Sequence, residues 1–222
     1  MPYSLDFSVV YDRLPSLLAG ALATIGLALA GMALALVIGI FGVLARKSRF
    51  SALRWATLAF VEIVRNTPFL VQIFFIFFAL PQFGIKLDPT VTAIVALALN
   101  GGAYAIEIIR GGVEAIPKGQ IEAGLALGLH RGAIFRHIIL KPALRTIYPS
   151  LTSQFVMLTL TTSVCSSISA YELTSVAQKI EADTFRSFEV YFSITGIYLV
   201  ISALMMAMFA AVNRMFFSYP VK

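Results

Sequence analysis

The sequence predicts an all-α integral membrane protein with five transmembrane helices, and three observations carry that prediction. Of the 222 residues, 59% are hydrophobic and only 13% charged, with a mean hydropathy of +0.88, a balance that soluble domains do not show. The apolar residues gather into runs long enough to cross a hydrocarbon layer. The basic residues lie in the gaps between those runs, so the net charge of +6 and pI near 9.6 fit positive-inside topology better than affinity for nucleic acid.

The opening stretch, "MPYSLDFSVVYDRLPS", holds Asp6 and Asp12 but only one base, Arg13. A cleavable signal has a basic start and a short apolar core, so this segment is expected to be retained. The first helix, about 17–45, is uncharged over 29 residues. That exceeds the roughly 20 residues needed to cross a core of about 30 Å, so it can span with tilt or project beyond. It ends at "RKSRF". The second helix, about 53–81, contains "NTPF", which reads in two ways. Thr67 caps a helix that begins at Pro68, or Pro68 kinks a longer helix begun near Leu53; the continuous helix is preferred. The third, about 91–109, carries Asn100, Gly101, Gly102, Tyr104 and Glu107, whose polar groups are costly in lipid unless they face protein or water. The fourth and fifth are expected at about 143–164 and 190–212.

An odd number of spans puts the termini on opposite sides, and the loops decide which. The gaps 45–55 and 110–145, with the C-terminus, hold twelve bases (Arg46 and Lys222 among them) against the acids Glu114 and Glu122. The other side holds four bases against seven acids. The C-terminus is therefore expected in the cytoplasm and the N-terminus outside.

The longest cytoplasmic loop, about 112–142, has internal order. Pro117 precedes a helical stretch and Gly128 follows it, with Glu122 in the N-terminal half, where the helix dipole favours an acid. Ile121, Leu125 and Gly128 share a face, and Ala123 and Gly124 allow close approach. A second helical stretch, "AIFRHIIL", groups Phe135, Ile138 and Ile139 and is expected to end near Pro142. The plain interpretation is an amphipathic loop lying on headgroups. The sharper one is a docking surface for a cytoplasmic protein, because small residues and a central acid suit a protein cleft.

Sites of chemistry are sparse. Cys165 is the single cysteine, so no intrachain disulfide can form and no Cys/His metal framework can be written. His130 and His137 have no carboxylate cluster around them, so no metal site is expected. The hydroxyl run "TTSVCSSIS" has no base in a recognisable motif and reads as a helix end or re-entrant turn near the outer side. No G-x-x-x-x-G-K-[ST] loop occurs, so ATP hydrolysis is not expected of this chain, and no cofactor is expected.

The 121–142 segment resembles the EAA loop of membrane subunits of bacterial ABC importers. Glu122, Ala123 and Gly124 stand for its Glu-Ala-Ala start, Gly128 for its later glycine, and Ile138 and Leu140 for its apolar pair. "VEIVRNTPFLVQIFF", "LALNGGAYAIEIIRGGVEAIPKGQIEAG" and "YELTSVAQ" resemble the polar amino-acid uptake branch, and the similarity covers nearly the whole chain. Four places depart from it: Gly124 replaces an alanine, Asn66 a glycine and Leu160 a lysine, and a proline arrives one residue late, at Pro142. The resemblance implies a single type I permease-like domain over 1–222, translocating a polar amino acid across the bacterial inner membrane. It implies coupling through Glu122, Ala123, Gly124, Gly128, Arg131, Ile138 and Leu140 to separate cytoplasmic ATP-binding subunits, two per complex, which bind the ATP. It also implies a second permease subunit, identical or homologous, and an extracytoplasmic solute-binding protein; membrane lipid surrounds the assembly, and nucleic acid is not a partner.

Two polar rows are candidate substrate contacts. Asn100, Tyr104 and Glu107, beside Gly101, share one helix face, and Gln154, Met157 and Thr161 share another. Together they offer an amide, a phenol, a carboxylate and a hydroxyl to an amino acid. The structural alternative is that Asn100, Gln154 and Thr161 join helices by hydrogen bonds, Met157 packs, and Glu107 pairs with Arg110. Glu62 and Arg65, three apart, are expected to neutralise each other. An ion-coupled carrier or channel would use the same buried polar groups, but it would leave the loop without a role and would usually need more spans or an internal repeat.

Overall fold

A computed structural model describes residues 4–217; Lys222, counted above among the cytoplasmic bases, lies outside them. The chain forms α1 (Ser8–Tyr11), α2 (Leu14–Arg46), α3 (Ser51–Arg65), α4 (Phe69–Ala79) with a 3-10 turn (Leu80–Phe83), and α5 (Pro89–Glu114). Next come α6 (Lys118–Ala126), α7 (Arg131–Ile134), a π turn (Phe135–Ile139), α8 (Leu140–Thr161), a 3-10 segment (Thr162–Ile168), α9 (Leu173–Thr184) and α10 (Ser187–Phe217). Among the described residues, four helical stretches are long and apolar enough to cross a membrane, and α3 with α4 supplies a fifth if that bent pair is one span.

The core is the seam between α2 and α5, which small residues let close. Gly31, Ala35 and Gly39 recur every four residues on α2, opposite Leu97, Gly101 and Ala105 on α5. A Cβ added at Gly31 would sit 2.9 Å from the Leu97 Cβ, and one at Gly39 would sit 2.7 Å from the Ala105 Cβ. Hydrocarbon gives no hydrophobic drive to helix association, so such close backbone packing holds the seam. α8 closes on the same helix, with Leu158 against Gly101 and Ile147 against Gly112. At the opposite end of α2, Gly20 admits the backbone of α9 at Leu173.

Two expectations are corrected. The 53–81 stretch is not one helix, because α3 and α4 meet at an elbow of 112°. Pro68 is extended (φ −63°, ψ 139°) and starts α4, which leaves the carbonyls at the end of α3 without helical donors. Side chains take them over. Asn66 Nδ2 donates to the Glu62 carbonyl, Thr67 Oγ1 to that of Ile63, and Gln72 Nε2 to that of Val64 at 2.7 Å. The second correction concerns "AIFRHIIL", which does not end at Pro142. Helix runs on from Arg131 to Ile168, with Pro142 in the first turn of α8, where a missing N–H is tolerated, and the π turn just before it. The hydroxyl run is the tightened end of that span: Thr162, Ser163, Ser166 and Ser167 each donate to the carbonyl three residues back.

Candidate functional site

The α5 row is engaged along its whole length. Asn100 Nδ2 donates to Gln72 Oε1 at 3.0 Å, so the two amides tie α5 to the α3–α4 elbow. The Arg65 guanidinium lies over the Tyr104 ring, 5.3 Å from its centroid. Arg65 therefore does not pair with Glu62 as expected; Glu62 instead accepts from Asn66 Nδ2 at 3.1 Å. Glu107 holds two arginines. Arg46, from the end of α2, donates to its Oε1, and Arg110 Nη2 lies 2.6 Å from its Oε2 and also reaches Glu114. The Glu107–Arg110 pair, the structural alternative to a substrate contact, is thus one link in a chain of four charges joining α2 to α5. A carboxylate already held by two guanidiniums is a poor receiver for a substrate ammonium, and Gly101 beside it is filled by Ala35 and Leu158.

The α8 row is different. Met157 is 61% exposed, Gln154 and Thr161 are half-buried, and Thr161 Oγ1 turns back to the Met157 carbonyl. Among the described residues no hydrogen bond joins this row to the α5 row. The two rows flank the seam where Leu158 meets Gly101, and the groups without a hydrogen bond among the described residues include the Gln154 amide on α8 and the Tyr104 hydroxyl on α5.

The third set is the cytoplasmic segment. α6 is nine residues long and ends in a turn where Gly128 takes φ +76°, a left-handed conformation that only glycine adopts freely. His130 caps α7 by accepting from the Ala133 N–H, which explains that histidine without a metal. Among the described residues no group of three or more His, Cys, Asp or Glu could hold one. Gly124 is buried, and an added Cβ would lie 2.6 Å from the Ile138 Cδ1, so Gly124 and Ile138 pack on each other within the chain. Glu122, Ala123, Leu125, Gly128, Arg131 and Leu140 stay exposed, as does Leu127 at 80%. Glu122 makes no hydrogen bond or ion pair among the described residues.

Sequence reasoning missed three residues that organise these sites. Gln72 is the hub of the elbow; its signal was a lone amide in an apolar run, close behind a proline. Arg46 was counted only as loop charge, yet it reaches Glu107. Glu172 is fully buried before α9, where it accepts from the Thr174 and Ser175 N–H groups and from Tyr198 Oη at 2.7 Å. Thr24 of α2 takes the neighbouring Leu173 N–H at 3.1 Å, so three helices meet there.

A family model described as binding-protein-dependent transport system inner membrane component matches residues 38–217. The glutamine transport system permease protein GlnP of Escherichia coli (strain K12) is 39% identical over 199 residues, 89% of this chain and 91% of that protein. The L-cystine transport system permease protein TcyB of Bacillus subtilis (strain 168) is 37% identical over 210 residues, 94% of this chain and 89% of that one. Among solved structures, a chain from the crystal structure of an amino acid ABC transporter with histidines superposes with a TM-score of 0.89 at 30% identity, covering 96% of this chain and 99% of that chain. The inward-facing MetNI methionine ABC transporter shares the fold, with a TM-score of 0.74 at 19% identity and coverage of 91% and 97%.

Proposed function

This chain belongs to the binding-protein-dependent transport system inner membrane components, and from that membership we propose how its parts divide the work. It is a membrane-spanning permease subunit of an amino-acid ABC importer, integral to the inner membrane, and is not itself catalytic. Family membership implies ATPase subunits and a second permease as its partners. The single observation that carries the division is that α6 leaves Glu122 and its leucines exposed and unpartnered, while Asn100 and Glu107 of the α5 row are held by Gln72, Arg46 and Arg110.

In this proposal Glu122, Ala123, Gly128 and Arg131 face the ATP-binding subunit, with Leu125 and Leu127 as apolar contacts. Gly124 and Ile138 set the angle of α6 from behind, and Leu140 lies on the rod that carries its movement into the membrane. That rod is continuous helix from Arg131 to Ile168, and α6 rests on it through Gly124 against Ile134 and Ile138, so displacement of α6 passes to Gln154, Met157 and Thr161 along one helix. These three are the substrate-contacting residues of this chain. Asn100, Gly101, Tyr104 and Glu107 position the spans around them. The substrate is a polar amino acid, delivered by an extracytoplasmic binding protein. The Arg46–Lys47–Arg49–Arg54 end faces the cytoplasm and the N-terminus faces outward, in keeping with the charge asymmetry.

ATPase activity of the assembled complex in lipid discs, with amino-acid-loaded binding proteins added in turn, tests this. Stimulation by one loaded protein is expected, with uptake lowered more by Gln154→Ala than by Asn100→Ala once expression is matched. Equal, full uptake by both variants would remove the site assignment.

A further inference from the structure

The end of the molecule opposite α6 presents one side chain that the spans do not use. Phe185 follows α9 and is 86% exposed, with its backbone left-handed at φ 56° and ψ 29°. A bulky residue at positive φ is an outlier that persists only where the surroundings impose it. Here they do. The Phe185 N–H donates to the Glu181 carbonyl at 2.7 Å, and the Glu181 carboxylate accepts from Ser187 Oγ at 2.6 Å and Tyr191 Oη at 2.8 Å. On the far side of the turn, Arg186 donates to the Ser4 carbonyl at 2.8 Å, and the fully buried Glu189 accepts from the Asp6 N–H. The ring is therefore raised on a braced turn. Beside it lies a hollow of about 460 Å³ lined by Leu5, Phe185, Ser187 and Phe188.

Resting on the importer reading and its orientation, we propose that Phe185 is the aromatic anchor by which this chain receives its extracytoplasmic binding protein. A rigid aromatic that stands proud, with a small apolar hollow beside it and a polar rim, has the anatomy of an interface hot spot. Charge describes the partner. Asp6, Glu181 and Asp183 lie about the turn, with Asp12 next to Arg13 in the chain, against Arg13, Arg186 and the exposed Lys179 farther back on α9, and Asp183 is itself half-exposed beside Arg13 at 3.8 Å. The matching surface is an apolar notch with lysines or arginines on its rim. A lipid headgroup layer fits less well, because bilayer-seated helices carry bases rather than acids around their apolar side chains, and fluid lipid requires no fixed backbone geometry. α9 runs from this turn to the buried Glu172, so the anchor sits on the strut that meets α2 and α10.

The test uses the assembled complex in lipid discs and whichever of a glutamine-, arginine- or cystine-loaded binding protein stimulates the unmodified complex most. Asparagine tolerates the left-handed backbone, so Phe185→Asn should leave the melting temperature and basal ATPase unchanged. It should raise the half-saturating concentration of binding protein about tenfold or more, whereas Phe185→Trp should stay within about twofold. The Phe185→Trp, Trp55→Phe variant, which has one tryptophan, should be shielded from aqueous quencher by the binding protein and not quenched by brominated lipid. Unchanged half-saturation for Phe185→Asn, or quenching by brominated lipid, would overturn the inference and seat the ring in the membrane. If no binding protein stimulates the unmodified complex, the importer reading fails and the inference falls with it.

Discussion

α6 and α9 are both short helices at opposite ends of the molecule, both close in a left-handed residue, and they are attached in opposite ways. α9 is built into the spans: its first backbone sits on Gly20, and Glu172, Thr24 and Tyr198 bind its start by hydrogen bonds. α6 touches its own chain chiefly where Gly124 meets Ile134 and Ile138. Its left-handed residue is a glycine, free of strain, whereas α9 holds a phenylalanine there. On the proposed division of work, the contrast separates a fixed strut from a lever. A helix that must follow a moving partner is best held by a few apolar contacts, and one that must present a surface is best held by a satisfied polar network.

The strongest way to break this contrast is to crowd both attachments. Gly20→Leu drives a side chain into the Leu173 backbone, and it should destabilise the protein by about 3 kcal/mol, seen as a lower melting temperature in detergent. Gly124→Leu meets two isoleucine side chains and no backbone, so about 1 kcal/mol is expected, with coupling disturbed more than folding. Equal losses would erase the distinction. Next in size, Glu172→Ala leaves the Thr174 and Ser175 N–H groups and Tyr198 Oη without their acceptor, for about 2 kcal/mol in a denaturant titration. Smaller still, Gly128→Ala should destabilise by about 1 kcal/mol through strain alone, while Phe185→Gly should not destabilise at all.

The smallest expected effect is a pH slope. Burial pushes the Glu172 carboxyl above its ordinary value of 4.5, against the pull of the Thr174, Tyr198 and Ser175 hydrogen bonds. The folded state thus holds that proton more tightly than the unfolded chain. Its contribution is complete below the ordinary value and fades as pH rises through the folded one. Glu172→Gln keeps an acceptor and removes the titration, so its melting temperature should vary less from pH 5 to 8 than that of the unmodified protein. A parallel profile would mean that Glu172 does not titrate there.

Much of this was legible in the sequence where one physical signal acts alone. The long apolar runs mark the spans α2, α5 and α10, because nothing but lipid asks for them. Pro117 and Gly128 bracket the observed α6. Where two signals compete, the sequence could not decide. Pro68 kinks a helix or starts one depending on whether the freed carbonyls find donors, and those donors, on Gln72 and Asn66, are ordinary amides until the elbow brings them together. The α5 row looked like a binding face for the same reason: Asn100, Tyr104 and Glu107 are polar inside a span, and their partners Gln72, Arg65 and Arg46 come from other helices. Burial of Glu172 has no sequence signal beyond an acid placed before a helix.

In the proposed function, α6 is the lever through which this permease subunit feels ATP. ATPase activity of the assembled complex in lipid discs, with and without loaded binding protein, measures it most directly when the unmodified chain is set beside Glu122→Lys. Assembly at the same melting temperature is expected, with loss of nearly all the stimulation, because an exposed, unpartnered acid is reversed at the proposed contact. Full stimulation by Glu122→Lys would contradict it and place the coupling surface elsewhere on the cytoplasmic side.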